Sequence, residues 1–279
     1  MDRKVILFTD STPFGYDTTQ GLKAEGLLDE TYVQLSPVNY RLRRYRQDLT
    51  SIRGIKRRVV GLVDRINRSM RSMSIEAHPE VLDEVGAVPF ITFRELRPQL
   101  ATENAIVVVY GTRIVPSWVY KGAHQTINVH WGLSPHYRGI LTTDRAVING
   151  DLRNIGFTLH ELSNDVDGGR IITQGRVPVQ RGDTIGTITT RLHGMAKPLL
   201  IKAVADAQQA KLDTVPQELS VGKNYRGVDW SVWNSLMLRK LIPITQKAME
   251  TSRPELPIHE SPSLRASALD ISDAAVTTS

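Results

Sequence analysis

The sequence predicts an α/β protein with an open, mostly parallel β-sheet. Residues 105–110 form a continuous β-branched apolar run, which is typical of a central strand covered on both faces. Strand, helix and strand patterns alternate through the first half of the chain, and this order favours parallel strands joined by helices. The apolar runs end in polar turns that contain glycine or proline. Together these features predict a Rossmann-like sheet whose functional residues lie at strand ends.

The period of the apolar residues predicts the individual elements. Residues 5–8 and 31–35 predict the first two strands, and residues 18–26 predict a helix between them. Later strands are predicted at residues 88–93, 105–110, 127–129, 156–162 and 170–179, with a short one at 217–225. Helical spacing predicts a long helix from residue 183 to about residue 209, and a later helix capped by Asp229.

The chain is expected to divide into three parts. One α/β domain covers residues 1–212, a short strand-and-helix extension covers residues 213–250, and residues 251–279 form a disordered tail. The tail is rich in serine, proline and alanine and has no sustained apolar period. Residues 39–74 are predicted to be an insertion with a basic helix, because more chain lies there than a strand connection needs.

The net charge of the protein is concentrated in one segment. Lysine and arginine number 35 against 29 acidic residues, giving a formal net charge of +6. The excess lies between residues 41 and 71, inside the predicted insertion. A surface helix with its arginines in water explains this pattern, and a docking site for phosphates, RNA or an anionic membrane is the alternative. Nucleic acid is therefore an unlikely but open partner, through this insertion alone.

Composition excludes several classes of chemistry. The chain has no cysteine, so it has no disulfide, thiolate nucleophile or cysteine-bound metal. No metal is expected, since His124, His130 and His136 are spaced by six, unlike usual zinc ligands. Neither a dinucleotide-binding glycine motif nor a phosphate-binding P-loop follows the first strand. With no apolar stretch long enough to span a bilayer and no signal-peptide pattern, we expect a cytoplasmic protein.

Three polar side chains are predicted to meet on one side of the sheet. Asn128 and His130 end one apolar run, and Asp167 lies in a loop after the next strand. Each of them alone is typical of a turn or of a hydrogen-bonded structural residue. An amide, an imidazole and a carboxylate at neighbouring strand ends form a possible catalytic set.

These segments resemble the N10-formyltetrahydrofolate-dependent formyltransferases. The matching stretches are Asn128-Val129-His130, Pro135-His136-Tyr137-Arg138-Gly139, Gly156-Phe157-Thr158-Leu159-His160 and Asp167-Gly168-Gly169. The chain departs from the family at Gly132-Leu133-Ser134, where the family usually has Ser-Leu-Leu. The resemblance extends over residues 4–209 and implies the open α/β formyltransferase fold.

The resemblance also implies roles for individual residues. Asn128, His130 and Asp167 would be catalytic, and N10-formyltetrahydrofolate would be the co-substrate. The residues expected to bind this folate are Arg113, Ile114, Val115, Asn164, Asp165 and Val166. The residues expected to contact the second substrate are Ser11, Thr12, Tyr137 and Arg138. For Arg138, a purely structural ion pair is an equal alternative.

The resemblance leaves the amine acceptor open. Methionyl-tRNA enzymes of the family carry a C-terminal β-barrel, and the region after Leu212 is too short and helical to form one. Glycinamide ribonucleotide enzymes carry a glycine- and asparagine-rich phosphate loop where this chain has residues 10–15 with one glycine. The chain is most similar to a third branch, the sugar N-formyltransferases, which have a short strand-and-helix extension after the catalytic domain. This resemblance implies formylation of the amino group of a nucleotide-linked aminodeoxy sugar, for polysaccharide biosynthesis.

Other functions stay open at this point. Glycinamide ribonucleotide and methionyl-tRNA remain alternative acceptors, and an idle module that only binds folate or a nucleotide sugar is a further alternative. Trp230 and Trp233 in the extension indicate simple packing or a homodimer contact.

Overall fold

The computed structural model describes residues 3–35 and 84–264. The predicted basic insertion at residues 39–74 lies outside the described residues. Residues 265–279 of the predicted tail also lie outside them.

Nine strands form two sheets in the described part of the chain. In chain order they are β1 (Val5–Asp10), β2 (Glu30–Gln34), β3 (Val88–Phe90), β4 (Ile106–Tyr110), β5 (Gln125–His130), β6 (Tyr137–Gly139), β7 (Gly156–His160), β8 (Ile171–Arg176) and β9 (Lys223–Tyr225). Seven of them form the main sheet in the order β3-β2-β1-β4-β5-β7-β8, and β6 pairs with β9. The main sheet is parallel up to β5, while β7 pairs antiparallel with β5 and β8. This confirms the predicted α/β fold with a mostly parallel open sheet.

Among the residues described, seven α-helices connect or cover these strands. They are α1 (Pro13–Ala24), α2 (Phe93–Leu96), α3 (Ser117–Tyr120), α4 (Thr142–Ile148), α5 (Ile185–Gln208), α6 (Val232–Leu241) and α7 (Gln246–Glu250). The first helix begins at Pro13 rather than at residue 18, because the Thr12 hydroxyl accepts from Gly15 N and Pro13 suits the first helical position. The cap of α6 is Ser231 rather than Asp229, since Ser231 accepts from Asn234 N. Asp229 ends the preceding 3-10 turn instead.

The central strands of the main sheet, β1, β4 and β7, are buried on both faces. Ile6 and Phe8 pack on one face with the aromatic residues of β3 and α2, whereas Val5 and Leu7 pack on the other face with α5. The alternation follows from the two-residue period of a strand. In the part of the chain that the structure describes, no helix combines the length and apolar character needed to cross a membrane.

The C-terminal extension (residues 213–250) packs against α4 through aromatic residues. The guanidinium carbon of Arg145 in α4 lies 5.2 Å from the ring centre of Tyr225 and 4.7 Å from that of Trp230. Indole Nε1 of Trp230 donates to Ser235 Oγ at 2.8 Å. A cation between two aromatic faces stabilises this contact beyond the area it buries. Trp230 therefore packs inside the protein, while Trp233 is 65% exposed.

Residues 251–264 differ from the predicted disordered tail, because they pack along the sheet. The backbone N of Gln174 in β8 donates to His259 O at 2.8 Å, and His259 N donates to the side-chain oxygen Oε1 of Gln174 at 3.0 Å. Leu264 is buried in the main core. Strand β8 is at the edge of the sheet, and an edge strand offers unpaired backbone groups to any nearby segment. Backbone bonding of this kind needs no apolar period, so the sequence pattern does not reveal it.

We predict that Leu200→Ala lowers the free energy of unfolding by about 2–5 kcal/mol, because Leu200 is fully buried between α5 and the sheet. Lys202→Ala on the same helix is the control and should cost less than about 1 kcal/mol, since it removes only a partly exposed ion pair with Asp206. Urea unfolding of both variants measures this difference. Equal losses would contradict the assignment of α5 to the core.

Candidate active site

The antiparallel pairing of β5 with β7 brings the predicted site together. Asn128 lies opposite His160, and His130 lies opposite Thr158. Asn128 and His130 are two residues apart, so both side chains leave the same face of β5. Asp167 follows β7 in a loop of residues 164–169, the Asp167 loop, and reaches the same point.

His130 is buried between two hydrogen-bond acceptors. Its Nε2 lies 2.7 Å from the backbone oxygen of Tyr137, and its Nδ1 lies 3.3 Å from Asp167 Oδ2. A carbonyl oxygen and a carboxylate both accept, so the ring satisfies both partners only when both nitrogens carry hydrogen. These two acceptors thus favour the imidazolium form, although burial outweighs them and the net shift of the His130 pKa is downward.

Burial and the neighbouring charge shift the pKa values of His130 and Asp167 in opposite directions. Burial lowers the pKa of His130 below its ordinary 6.5, while the Asp167 carboxylate opposes the shift. Burial by itself would raise the pKa of Asp167, but the charge of His130 and the contacts with His160 and Gly139 N hold it well below its ordinary 3.8. Asp167 is therefore a carboxylate at neutral pH, ready to stabilise a proton on His130.

His160 is a site residue that the sequence analysis did not single out. Its Nδ1 lies 2.7 Å from Glu161 O, which requires a hydrogen on Nδ1. Its Nε2 lies 3.0 Å from Asn128 Nδ2 and 3.5 Å from Asp167 Oδ1. His160 is buried and so fixes the orientation of the Asn128 amide. The available signal was its place at the end of the matching Gly156–His160 strand, one strand away from Asn128.

The Asp167 loop approaches its neighbours through backbone atoms. Asp167 has φ of 49°, in the left-handed region, which few residues other than glycine adopt. Its Oδ2 accepts from Gly139 N at 2.8 Å. A Cβ on Gly169 would lie 1.7 Å from Glu161 O, so only glycine fits there. The loop conformation thus depends on close backbone contacts with β6 and β7.

The predicted folate-binding residues lie on two neighbouring segments. Arg113 N donates to Gln34 Oε1 at 2.8 Å, and this contact fixes the turn after β4. The side chain of Ile114 is 78% exposed, and Val115 packs on the core face formed by β3 and α2.

The second of these segments is the Asp167 loop. Asn164 Oδ1 accepts from the hydroxyl of Tyr120 at 3.3 Å, and this bond links the loop to α3. The backbone oxygen of Asp165, an exposed residue, accepts from Gly168 N at 3.1 Å, and Val166 is half-buried. Tyr120, which the sequence pattern did not single out, thus connects the Asp167 loop to the helix that follows residues 113–115 in the chain.

The residues predicted to contact the second substrate do not all lie close together. Ser11 and Thr12 follow β1, which is separated from β5 by β4 and so lies about 10 Å away across the sheet. Tyr137 stacks on Tyr225 with ring centres 5.8 Å apart. Arg138 Nη2 donates to Leu219 O at 3.3 Å, and its Nε donates to Pro135 O at 3.4 Å. Arg138 therefore makes structural contacts, although with carbonyl oxygens instead of the ion pair considered from sequence.

A cavity of about 610 Å³ lies beside β6 and β9. Its walls include His136, Tyr137, Lys223, Tyr225, Arg253 and Leu256. The side chain of Tyr137 lines the cavity while its backbone oxygen contacts His130, so the cavity adjoins the catalytic candidates. The sequence pattern did not predict Lys223 and Arg253 as cavity residues, because they lie far from Tyr137 along the chain. Among the residues described, no three His, Asp or Glu side chains cluster as metal ligands.

We predict that Asp167→Asn is less stable than the native protein near neutral pH and that this difference shrinks by about 1 kcal/mol at about pH 3. The folded pKa of Asp167 is lowered, so its stabilisation is complete above the ordinary 3.8 and is lost as the pH falls below it. Urea unfolding at both pH values measures the change. Asp213→Asn, an exposed acid, is the control, and a pH-independent difference for Asp167→Asn would contradict the buried pairing.

Comparisons with known proteins agree with this geometry. Residues 92–204, which include Asn128, His130 and Asp167, match the family model for formyl transferases. A methionyl-tRNA formyltransferase from Streptococcus equi subsp. equi is 30% identical over 121 residues, which are 43% of this chain and 38% of that protein. The alignment thus spans less than half of that relative's length.

Two solved structures share the fold. An N-formyltransferase from Helicobacter canadensis, in complex with folinic acid and dTDP-3-aminofucose, has a TM-score of 0.58 and 15% identity over 83% of this chain and 73% of its own. A phosphoribosylglycinamide formyltransferase from Anaplasma phagocytophilum has a TM-score of 0.51 and 18% identity over 76% of this chain and 90% of its own. The resemblance expected from the motifs is confirmed by the match of residues 92–204 to the formyl transferase family model.

Proposed function

We propose that this protein transfers a formyl group from N10-formyltetrahydrofolate to a primary amine. The observation that carries the proposal is the contact of His130 with Asp167, beside Asn128, inside the segment that matches the formyl transferases. In this reaction the amine nitrogen attacks the formyl carbon, and the bond between that carbon and N10 then breaks. The products are a formamide and tetrahydrofolate.

Asn128 and His130 stabilise the oxygen that becomes negative during the attack. The Asn128 amide has two hydrogens, and one of them is directed at His160 Nε2, which leaves the second for the formyl oxygen. His130 now contacts Tyr137 O and Asp167 Oδ2, and it donates to the formyl oxygen when the substrate replaces one of these two acceptors. Donors held in place before the reaction stabilise the developing charge without reorganisation.

Asp167 has two roles in this mechanism. Its carboxylate stabilises the imidazolium form of His130. The attacking amine must also lose a proton, and N10 must gain one as it leaves. Asp167, acting through a water molecule, moves this proton from the amine toward the leaving nitrogen.

The segments around Tyr120 fit a folate. The exposed Ile114 side chain gives an apolar surface for the flat pterin ring, and the neighbouring backbone of the Asp167 loop gives hydrogen-bonding groups for its edge. The Helicobacter canadensis structure with the same fold holds folinic acid, which supports a folate as the formyl donor.

For the acceptor, we propose the amino group of a nucleotide-linked aminodeoxy sugar. The cavity beside β6 has the size of a small-molecule site. Its positively charged side chains, Lys223 and Arg253, suit a diphosphate. Of its acidic side chains, Asp151 accepts from Tyr137 and Asn154, and Glu255 pairs with Arg176. The Helicobacter canadensis enzyme, which shares the fold, holds dTDP-3-aminofucose.

The end of β1 argues against glycinamide ribonucleotide as the acceptor. Asp10 Oδ1 accepts from the Thr12 hydroxyl at 2.6 Å and from Thr12 N at 3.2 Å. These are donors that a phosphate in this loop would need, and an internal carboxyl group already occupies them. Burial raises the pKa of Asp10, which shows how poorly this corner is solvated for an added anion.

Methionyl-tRNA is the second candidate acceptor, because a methionyl-tRNA formyltransferase is 30% identical over the aligned segment. In that family a β-barrel follows the catalytic domain. In this protein the described residues 213–264 instead form β9, α6, α7 and an extended segment along β8. An idle binding module is a third candidate, and it would have no use for three converging polar side chains.

We predict that His130→Ala and Asp167→Asn each lower kcat by at least about 10²-fold, because each removes stabilisation of the developing charge. Both variants should still bind folate, since the groups proposed to bind it are the turn after β4 and backbone atoms of the Asp167 loop, and both substitutions keep these groups. Isothermal calorimetry and a formyl-transfer assay measure the two effects. The control is His124→Ala, which replaces an exposed histidine, and an active His130→Ala enzyme would overturn the assignment.

The acceptor is tested with a mixed panel in the presence of N10-formyltetrahydrofolate. The panel contains nucleotide-linked 3- and 4-amino sugars, glycinamide ribonucleotide and methionyl-tRNA, and mass spectrometry identifies the member that gains a formyl group. We expect an amino sugar nucleotide to react. Formylation of another member would replace this acceptor, and folate binding without any transfer would favour the binding module.

The cavity variants Lys223→Ala and Arg253→Ala sharpen this test. Each should raise KM for the reactive sugar nucleotide by about tenfold with little change in KM for folate, since each removes one charge from the diphosphate. Lys247→Ala, on the exposed side of α7, is the control. Unchanged KM values in both cavity variants would place the acceptor elsewhere.

A further inference from the structure

The extension contacts the Asp167 loop through Gln217. Its Nε2 donates to the backbone oxygen of Asp167 at 3.1 Å and also to that of Gly169. Two carbonyl acceptors on one nitrogen fix the orientation of the amide. In this orientation Gln217 Oε1 is buried and has no hydrogen-bond partner among the described residues. A buried oxygen without a hydrogen-bond partner lowers the stability of the fold, and such unsatisfied groups often occur at functional sites.

The same segment of the extension packs against the loop and against β6. A Cβ on Gly168 would lie 3.2 Å from the nearer methyl carbon of Leu219, so Leu219 covers the loop closely. Leu219 O accepts from Arg138 Nη2 at 3.3 Å. A Cβ on Gly222 would lie 1.8 Å from Pro135 O. Residues 217–222 therefore lie in direct contact with both segments that border His130.

Strand β6 contacts both members of the His130–Asp167 pair with its backbone. Tyr137 O lies next to His130 Nε2, and Gly139 N donates to Asp167 Oδ2. Within the described residues, the strand that pairs with β6 is β9 of the extension, in the parallel register Tyr137 to Lys223 and Gly139 to Tyr225. The positions of these two backbone groups therefore depend on the extension.

We propose that Gln217 is a positioning residue for formyl transfer. It holds the Asp167 loop so that the carboxylate faces His130, and it makes the extension part of the active site. The residues matched by the family model end at 204, so this contribution comes from outside the matched segment. The inference rests on the proposed function for its effect on turnover, but its structural part is testable without any substrate.

The main test replaces the amide of Gln217 while keeping its size. Gln217→Met and Gln217→Glu both lose the two donated hydrogen bonds, and Gln246→Met on exposed α7 is the matched control. In both Gln217 variants we expect kcat to fall between about tenfold and a hundredfold, because a small displacement of Asp167 misplaces the catalytic groups. KM for folate and for the acceptor should change less than about threefold. Gln246→Met should behave as the native protein.

A second readout follows His130 itself and separates this inference from the proposed function. The titratable or charged groups that face His130 are Asp167, His160 and Arg138. When Asp167 is displaced, its carboxylate supports the imidazolium less, so the titration of the His130 ring moves to lower pH. NMR of the ring signals, compared with the native protein and with Gln246→Met, measures this shift without substrate.

The outcomes are distinct. A shifted His130 titration in a protein that formylates nothing would support the positioning role and overturn the proposed function. An active enzyme with native kcat and a native His130 titration in both Gln217 variants would overturn the inference. Loss of folding in both variants would also overturn it, because Gln217 would then support overall stability rather than the position of Asp167.

Discussion

The contact between the buried imidazole of His130 and the carboxylate of Asp167 is the interaction on which the rest of the site depends. Burial disfavours charge on both groups, and each is stabilised chiefly by the other and by nearby hydrogen bonds. Such a pair tolerates little displacement, because separation would leave a buried charge without a partner. Much of the surrounding structure can be understood as fixing the distance between these two side chains.

The two members of the pair are held by different means. His130 is the last residue of β5, a strand buried in the sheet, and its position is set by the ladder with β4 and β7. Asp167 lies in a loop with positive φ, and its position is set by contacts with β6, β7 and the extension. Strand β5 and the Asp167 loop, which is held by contacts with other segments, thus place these two side chains next to each other. The loop needs contacts from outside the sheet, and Gln217 of the extension, which follows the matched residues 92–204, provides some of them.

The cavity proposed for the acceptor has a different character from the proposed catalytic centre. Its lining comes from β6, from β9 and from the segment that runs along β8, so it combines residues from distant parts of the chain. The proposed catalytic centre, in contrast, lies within the segment that matches the formyl transferase family model. Proteins that share this fold act on different amines, and variation outside the shared segment gives a physical route to that difference.

The sequence by itself determined the sheet and the catalytic candidates. Apolar runs such as Ile106–Tyr110 define buried strands, and short local motifs contain Asn128 and His130 near the end of β5 and Asp167 in the loop after β7. Only the tertiary structure revealed the roles of His160, Gln217 and Lys223, and the packing of residues 251–264 along β8. These depend on strand order, on a side chain reaching a backbone oxygen fifty residues away, and on pairing at a sheet edge. Local periodicity carries no information on such contacts, because they are fixed by the folded arrangement of the whole chain.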